Sequence, residues 1–424
     1  MERCKPIKPI IKNLSNMKKI LLLTAFMIMT LGSFANEEGK QQRLFETVNG
    51  QVPYRIPAIA KAKDGTLIAV SDYRYCGGDI GYGAVDLHYR LSSDNGATWG
   101  EELTLADGTG VEEEGVKWDY AFGDCALAAD RKSNEVVVLC VCGKTVYSRA
   151  TRQNPNRVAI FRSHDGGRTW DNGREITDQI YSLFDGRQEG PINSLFVGSG
   201  KLFQSRYVKA GRYYRLYAAL CTLSGNFVIY SDDFGDSWEV LGDPDISPAR
   251  DGDEPKCEEL PDGSVILSSR YNGRLYNIFT FVDTKNAIGQ WDDRAAAADM
   301  SGVKNACNGE IMLVPALRND DGKKVWVALQ SIPFGAGRTN VGFYFHELTA
   351  DHESAAAFAA NWQKGLQVST IESAYSTFIF QADGRFGFLW EEGPTWSNID
   401  YRPLTLEEIT NGQYTLDEKR AKKL

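Results

Sequence analysis

The chain has little histidine and little positive charge. Only four histidines occur among 424 residues, and none stands with cysteines or carboxylates at a spacing typical of metal ligands. The sequence therefore argues against a catalytic zinc site and indicates no other cofactor. Acidic residues outnumber basic ones by 56 to 47, for a formal net charge of −9. This balance argues against nucleic acid as a partner, which needs a basic surface, and a small anionic substrate would need a local cluster of basic residues.

Long hydrophobic runs are missing except for one near the N-terminus. Lys18 and Lys19 precede the apolar run 20–31, and small residues follow it. The run is too short for a comfortable transmembrane helix. The order of basic, apolar and small residues predicts a signal peptide over residues 1–35.

The start of the chain leaves two alternatives, Met1 and Met17, and the second makes residues 1–16 an upstream extension. In either case we expect a mature chain of residues 36–424 without a membrane span, exported to the periplasm or secreted. Removal of residues 1–35, which contain six Lys or Arg and one Glu, lowers the formal net charge from −9 to −14.

The chain has few cysteines, and the predicted mature chain has an odd number of them. Seven of the eight cysteines remain after cleavage, so at least one is unpaired. Most lie in apolar, strand-like stretches, which predicts that they act as small buried hydrophobic residues.

Helical patterns are also scarce. Only residues 354–361 show one, and the basic end at 419–423 is expected to be a solvated tail. Elsewhere, short segments rich in Val, Ile, Phe and Tyr alternate with turns that contain Asp-Gly. This pattern predicts an all-β protein.

One short pattern, Ser-x-Asp-x-Gly-x-(Thr/Ser)-Trp, occurs three times, starting at Ser92, Ser163 and Ser231. In each copy the Asp can hydrogen-bond its own turn, the Gly allows a positive φ, and the Trp anchors a hairpin. The copies are 71 and 68 residues apart, which indicates one supersecondary unit used repeatedly. The 389 mature residues hold between five and six such units. We therefore predict one six-bladed β-propeller of four-stranded antiparallel blades over residues 36–424, with a degenerate fourth copy at 283–291.

The repeated pattern resembles the Asp-box of sialidases, and Tyr54-Arg55-Ile56-Pro57 is similar to the Arg-Ile-Pro motif of that family. The resemblance extends over almost the whole mature chain and implies the sialidase fold, with the boxes on scaffold hairpins. It also implies a retaining, metal-free exo-α-sialidase that removes terminal sialic acid from sialylated glycans. Within the motif, Pro57 is expected to bias Ile56 toward extended geometry.

The resemblance implies that five residues bind the substrate. Arg55, Arg270 and Arg338 match the three arginines that hold the substrate carboxylate. Arg74, in Ser71-Asp72-Tyr73-Arg74, matches a further arginine that borders the substrate outside this triad. Asp124 takes the place of a family Asp near the amino-acyl side of the sugar.

Three residues are implied to carry the chemistry. Tyr375 matches the nucleophile and Glu254, sixteen residues before Arg270, matches its base. Asp79, in a Gly-rich loop, matches the acid/base. Alternatives to these assignments are Asp86 for the acid, which already reads as part of a strand, and Glu258 or Glu259 for the base, whose spacing fits less well.

Glu391 is implied to hold Arg55 in place, and it follows Trp390, which stands where the family has a Tyr. Clustered arginines repel each other, so a supporting carboxylate of this kind is physically expected.

The residue types suit this chemistry. Sialic acid carries a carboxylate on its anomeric carbon, and guanidinium groups bind carboxylates in a bidentate manner. A neutral phenol can approach this negatively charged centre without repulsion, but its pKa of about 10 calls for a nearby base. Transfer to a sugar acceptor, or intramolecular release of an anhydro product, is an alternative outcome of the same residues. A sialic-acid-binding propeller without turnover is a further alternative.

Overall fold

The computed structural model describes residues 39–48, 52–301 and 307–422. The predicted signal peptide lies outside these residues. Within the three ranges, no helix combines the length and the apolar character needed to cross a bilayer.

Within the described residues, thirty strands form six small sheets, which are the blades, and one two-stranded ribbon. Residues 54–240 build the first three blades and the ribbon. Strand β1 is Gln42–Phe45, and the first blade contains β2 (Tyr54–Lys61), β3 (Leu67–Tyr73), β4 (Asp86–Ser92) and β5 (Leu103–Ala106). Strands β6 (Val111–Glu113) and β7 (Val116–Trp118) form the ribbon. The second blade contains β8 (Ala121–Ala129), β9 (Val136–Gly143), β10 (Arg157–Ser163) and β11 (Arg174–Glu175). The third begins with β12 (Leu195–Val197); β13 (Gly200–Lys201) pairs in parallel with β8. The third blade continues with β14 (Phe203–Ala210), β15 (Tyr213–Thr222), β16 (Gly225–Ser231) and β17 (Glu239–Val240).

The last three blades follow in chain order. The fourth contains β18 (Asp253–Glu259), β19 (Val265–Tyr271), β20 (Gly273–Asp283), β21 (Ile288–Trp291) and β22 (Ala295–Ala296). The fifth contains β23 (Ile311–Arg318), β24 (Lys324–Gly335), β25 (Thr339–Glu347) and β26 (Gln363–Gln367). The sixth contains β27 (Ser373–Phe380), β28 (Phe386–Glu392) and β29 (Asn398–Leu404), and β30 (Tyr414–Leu416) returns to pair with β23.

The two ends of the propeller close the ring together. Strand β1 pairs antiparallel with β29, so the N-terminal strand completes the blade built by the C-terminal strands. The six-bladed all-β prediction is confirmed. Four of the six sheets have five strands instead of the four predicted. In three of them the fifth strand is a short one, β13, β22 or β30. In the third blade two strands, β12 and β14, both pair with β15.

The hydrophobic core lies between neighbouring blades. In the described part of the chain, the six largest of eight clusters of buried side chains each lie between two adjacent blades, including the pair formed by the sixth and first. Strand β9 shows how the sequence provides this: Val136, Val138 and Cys140 pack toward the first blade, and Val137 and Leu139 toward the third. Successive side chains of a strand point to opposite faces, so a strand buried on both faces is apolar throughout.

The three copies of the repeated pattern adopt the same turn between the third and fourth strands of their blades. In the first copy, Ser92 Oγ accepts a hydrogen bond from Gly96 N at 2.9 Å, and Asp94 accepts from the Thr98 backbone and hydroxyl at 2.9 and 2.6 Å. The copies at Ser163 and Ser231 repeat these bonds. Residues 283–291 join the third strand of the fourth blade to its partner, which is the corresponding place.

The helices are short. They are α1 (Thr177–Tyr181), α2 (Ala355–Phe358), α3 (Leu406–Ile409) and α4 (Glu418–Ala421). The prediction at 354–361 corresponds to α2, and the other three are too short to produce a periodic pattern. The expectation of a solvated tail at 419–423 is wrong for Arg420, which donates to the carbonyls of Ala316 and Val325 at 2.9 and 2.7 Å.

All seven cysteines of the described residues are unpaired, and six of them are buried. This agrees with their predicted role as small hydrophobic residues.

Candidate active site

Four of the predicted site residues lie at the starts of inner strands. Arg55 lies in β2, Asp124 in β8, Glu254 in β18 and Tyr375 in β27. The contacts described below bring these strand starts together at one end of the ring.

Each of these four strands is irregular at the site residue. The antiparallel register shifts between Arg55 and Ala58, between Gly123 and Ala126, between Asp253 and Pro255, and between Ser373 and Ser376. Such β-bulges re-aim side chains relative to the regular pleat and are common next to active sites. The bulges therefore explain how residues of regular-looking strands point into one site.

The backbone at the site is also strained. Ile56, Asp124 and Arg338 have φ values of 55°, 48° and 64°, in a region that non-glycine residues rarely occupy. The expectation that Pro57 holds Ile56 extended is wrong. The Ile56 N–H donates to Glu391 Oε1 at 2.8 Å, and this bond stabilises the left-handed conformation at the bulge.

One side of the site, which we call the cationic wall, contains three arginines, two carboxylates and a tyrosine: Arg55, Arg270, Arg338, Glu254, Glu391 and Tyr375. Glu391 is fully buried and accepts from Arg55 Nε at 2.7 Å and from Arg55 Nη2 at 3.3 Å. It also accepts from the backbone N–H of Tyr375 at 3.1 Å. One carboxylate thus fixes both an arginine and the backbone of the tyrosine.

Tyr375 lies at the centre of the cationic wall and is only 7% exposed. Its hydroxyl donates a short hydrogen bond to Glu254 Oε1. The other oxygen of Glu254 accepts from Arg270 Nη1 at 3.0 Å and from Asn308 N at 3.1 Å. Burial raises the pKa of Tyr375 well above its ordinary value, Glu254 raises it further, and Arg270 and Arg338 oppose this. The phenol is therefore neutral near pH 7 and has a base in contact with its proton.

Arg338 differs from the other two arginines. Its guanidinium lies 5.2 Å from the ring centroid of Tyr375 and 5.3 Å from that of Trp396, while Arg55 and Arg270 have carboxylate partners. Within the described residues Arg338 forms no ion pair. Its carbonyl accepts from Trp396 Nε1 at 3.0 Å, which ties the strained backbone to the neighbouring blade.

The other side, which we call the acidic wall, contains Arg74 and three aspartates: Asp72, Asp79 and Asp124. Arg74 is buried and lies 2.8 Å from Asp72, 3.2 Å from Asp79 and 3.1 Å from Asp124. The Asp72 side chain is fully buried, whereas that of Asp79 is 71% exposed. The Asp124 side chain is 20% exposed, so Asp79 is the most exposed carboxylate of this wall, and it lies close to an arginine that two other carboxylates hold in place.

Charge links the two walls. Burial raises the pKa of Asp124 well above its ordinary value, Arg74 opposes this, and Glu254 is among the carboxylates that add to it. Burial also raises the pKa of Asp72 to about 6, against the opposing effect of Arg74. A site with these interacting groups can bind an anion at the cationic wall and transfer protons at the acidic wall.

The alternative carboxylates lie elsewhere. Asp86 accepts from Gly108 N at 2.7 Å and lies 3.5 Å from His88, outside both walls. Glu258 pairs with Arg206 at 2.6 Å, and Glu259 accepts from Ser205 at 2.6 Å. These contacts favour Asp79 and Glu254 over their alternatives.

The sequence interpretation missed three residues of the site. Asp72 could have been found, because residues two apart on a strand share a face and Asp72 precedes Arg74 by two. Trp396 lies in a short turn, Pro394–Trp396, and Asn308 precedes β23, so neither has a local signal. Trp390 points away from the site and packs between the fifth and sixth blades.

Comparison with known proteins gives related sequences and folds, although no family model matches the chain. A sialidase of Micromonospora viridifaciens is 32% identical over 357 residues, which covers 80% of this chain and 50% of that protein. The chain therefore spans about half the length of this relative.

Two solved structures share the fold. The Hadza microbial sialidase Hz136 has a TM-score of 0.67 at 20% identity, covering 87% of this chain and 69% of that one. The intramolecular trans-sialidase from Ruminococcus gnavus has a TM-score of 0.64 at 16% identity, covering 84% and 95%. These structures show that the chain has the same fold, and its sequence is similar to that of the Micromonospora viridifaciens sialidase over four fifths of its length.

Proposed function

We propose that the protein is a retaining exo-α-sialidase that hydrolyses terminal sialic acid from glycoproteins, glycolipids or oligosaccharides. The observation that carries the proposal is the contact between the Tyr375 hydroxyl and Glu254, with three arginines around the same ring and carboxylate. The sequence similarity to a sialidase of Micromonospora viridifaciens supports the same activity. We also propose that the predicted signal peptide directs the protein to the periplasm or outside the cell.

The cationic wall binds the substrate carboxylate in this proposal. Arg55 and Arg270 each direct part of their guanidinium to Glu391 or Glu254, which leaves further N–H groups for a ligand. Arg338 has no competing carboxylate among the described residues and offers its guanidinium to the substrate. A carboxylate held by several guanidinium groups is fixed in position as well as bound.

The anomeric carbon then lies near Tyr375. In the first step, the Tyr375 oxygen forms a bond to this carbon while its proton moves to Glu254. The bond from the carbon to the glycosidic oxygen breaks, and Asp79 gives that oxygen a proton. Tyrosine nucleophiles are a known property of sialidases among retaining glycosidases, so this role rests on the sequence similarity to a sialidase and on the Glu254 contact.

The second step reverses the roles. Asp79, now a carboxylate, accepts a proton from water as the water oxygen attacks the anomeric carbon. The bond to Tyr375 breaks, and Glu254 returns the proton to the phenolate. The exposure of Asp79 suits a residue that meets both the leaving group and water. Two displacements at one carbon retain its configuration.

The test is hydrolysis of an aryl sialoside by residues 36–424, with Tyr375→Phe alongside and the sugar product followed by NMR. We expect the α-anomer of free sialic acid to appear first. The variant should lose activity by about 1000-fold or more, because groups that act as one unit fail together.

The product also distinguishes the alternative. An anhydro sugar would assign the chain to intramolecular transfer, the activity named for the Ruminococcus gnavus neighbour. A β-anomer formed first would contradict the retaining mechanism. Binding of sialic acid without turnover would make the protein a sialic-acid-binding propeller.

A further inference from the structure

A cavity lies at the end of the inner strands opposite the candidate active site. Its volume is about 110 Å³, roughly that of four water molecules in the liquid, and all six blades contribute to its lining. Strand β2 runs from Arg55 in the active site to Lys61 at this cavity, a distance of about 20 Å at 3.3 Å per residue. Strand β27 likewise runs from Tyr375 to Phe380. The cavity is therefore separate from the site described above.

Four cations line the cavity, and two of them are neutralised by carboxylates. Arg206 lies 2.6 Å from Glu258. Lys201 lies 3.6 Å from Glu310 and 3.9 Å from Glu258. These two cations hold the inner strands together and have little charge left for a ligand.

The other two cations, Lys61 and Arg131, form no ion pair within the described residues. The Lys61 ammonium lies 5.2 Å from the ring centroid of Phe380. Arg131 stacks at 4.2 Å on Tyr214 and donates one bond to the carbonyl of Ser205, while its buried Nε has no hydrogen-bond partner. Both side chains are half-buried. Asp383 attracts Lys61, and Glu259 and Asp130 attract Arg131, without forming a direct ion pair. A cation withdrawn from water without a directly paired counter-charge is costly, so an anion at this place would be favoured.

The pKa shifts of Lys61 and Arg131 have the direction that withdrawal from water predicts. Burial lowers the pKa of Lys61, and burial together with the nearby Arg206 lowers that of Arg131. Each group would regain interaction energy from a bound oxyanion, and the guanidinium of Arg131 can bind one in a bidentate manner.

Apart from Gln204 and Glu258, the rest of the lining is apolar. Leu202, Phe203, Met312, Ile379 and Phe380 line the cavity beside the cations. A fully hydrated inorganic anion would gain nothing from these side chains, whereas a short aliphatic tail would. We propose that this cavity binds a small aliphatic carboxylate, with its oxygens at Lys61 and Arg131 and its alkyl chain against the apolar wall.

The test is a calorimetric titration of the full chain with acetate, propanoate, butanoate and sulfate. We expect binding to tighten about fourfold with each added methylene group. Lys61→Met and Arg131→Met should each weaken butanoate binding by about tenfold or more, the usual loss for a charged hydrogen bond. Lys63→Met and Lys132→Met are matched controls, since both lysines are exposed neighbours outside the lining. These controls should bind butanoate as the unchanged protein does.

The arginines of the active site also attract carboxylates, so Arg338→Ala is titrated in parallel. Retention of butanoate binding in this variant, with loss in the two cavity variants, supports the proposal. The opposite pattern would show binding at the active site and overturn it. Sulfate binding as tight as that of butanoate, or no binding of any of the four anions, would also overturn it. Lys61→Met keeps the test valid if Arg131→Met fails to fold.

Discussion

The two walls of the active site use the same residue types in opposite proportions. The cationic wall has three arginines and two carboxylates. Glu391 contacts Arg55 and Glu254 contacts Arg270, which leaves the third arginine without a carboxylate partner among the described residues. The acidic wall has one arginine that contacts three carboxylates. The first wall therefore has guanidinium groups to spare, and the second has carboxylates to spare.

This difference indicates a division of work between the walls. A surplus of arginine suits the binding of an anionic substrate, since its charge does not change during turnover. A surplus of carboxylate suits proton transfer, and the one exposed member, Asp79, can reach a substrate while Asp72 stays buried. The predictions below test whether binding and proton transfer separate in this way.

The largest effect is expected from Glu254→Gln. The glutamine can still hydrogen-bond Tyr375 but cannot accept its proton, so kcat should fall about 1000-fold. Steady-state kinetics with an aryl sialoside measures this. Glu259→Gln serves as the control because Glu259 bonds to Ser205 outside the site. An equal loss in both variants would contradict the role of Glu254.

Asp79→Asn should slow the reaction much more for a substrate whose leaving group needs a proton than for one whose leaving group does not. With sialyllactose, whose leaving alcohol needs a proton, we expect kcat/KM to fall about 100-fold. With a nitrophenyl sialoside, whose leaving group is stable as an anion, the formation of the tyrosine adduct should change much less. Pre-steady-state kinetics on both substrates tests this.

Asp86→Asn is the matched variant for that experiment. If Asp86→Asn, and not Asp79→Asn, lost activity selectively toward sialyllactose, the acid would be Asp86 and the acidic wall would have another purpose.

Arg338→Lys should weaken binding more than catalysis. The lysine keeps the charge but loses the planar fork, so the dissociation constant of sialic acid should rise about tenfold to 100-fold. Arg74→Lys provides the comparison, because Arg74 holds the aspartates and should affect kcat more than binding. Titration calorimetry measures sialic acid binding, and steady-state kinetics measures kcat, for both variants. A larger effect of Arg338→Lys on kcat and of Arg74→Lys on binding would contradict the division of work between the walls.

The smallest effect concerns stability and pH. Burial raises the pKa of Asp72 from 3.8 to about 6, with Arg74 opposing. The folded state thus holds this proton more tightly, and the contribution of Asp72 to stability is full below about pH 4 and lost as the pH rises through about 6. The free energy of unfolding of the unchanged protein, relative to Asp72→Asn, should fall by about 2 kcal/mol across this range.

Urea denaturation of both proteins between pH 4 and 7 measures this difference. A difference that rises with pH would show that the ion pair with Arg74 outweighs burial.

Local patterns in the sequence were sufficient to predict the scaffold. The Ser92 and Asp94 side chains of the first turn bond within eight residues, so the turn has a local signature, and the spacing of its three copies together with the length of the mature chain predicts the number of blades. The pairing of Glu254 with Arg270 was equally predictable, because the two lie on adjacent strands of one hairpin in which Asp253 is opposite Arg270.

Long-range features could not be predicted. The left-handed Ile56 depends on Glu391, which is 335 residues away. Trp396 comes next to Arg338 through the packing of two blades. The extra strands β13, β22 and β30 have two or three residues each, too few for an alternating pattern.

The central claim is that Tyr375 attacks the anomeric carbon. It can be tested with a sialosyl fluoride that carries a second fluorine at C3, which slows the departure of the sugar from the enzyme. Mass spectrometry of the intact protein should show one added fluorosialyl group, and peptide mapping should locate it on Tyr375. An adduct on Glu254 or another carboxylate, or turnover that retains configuration without any adduct, would contradict the account.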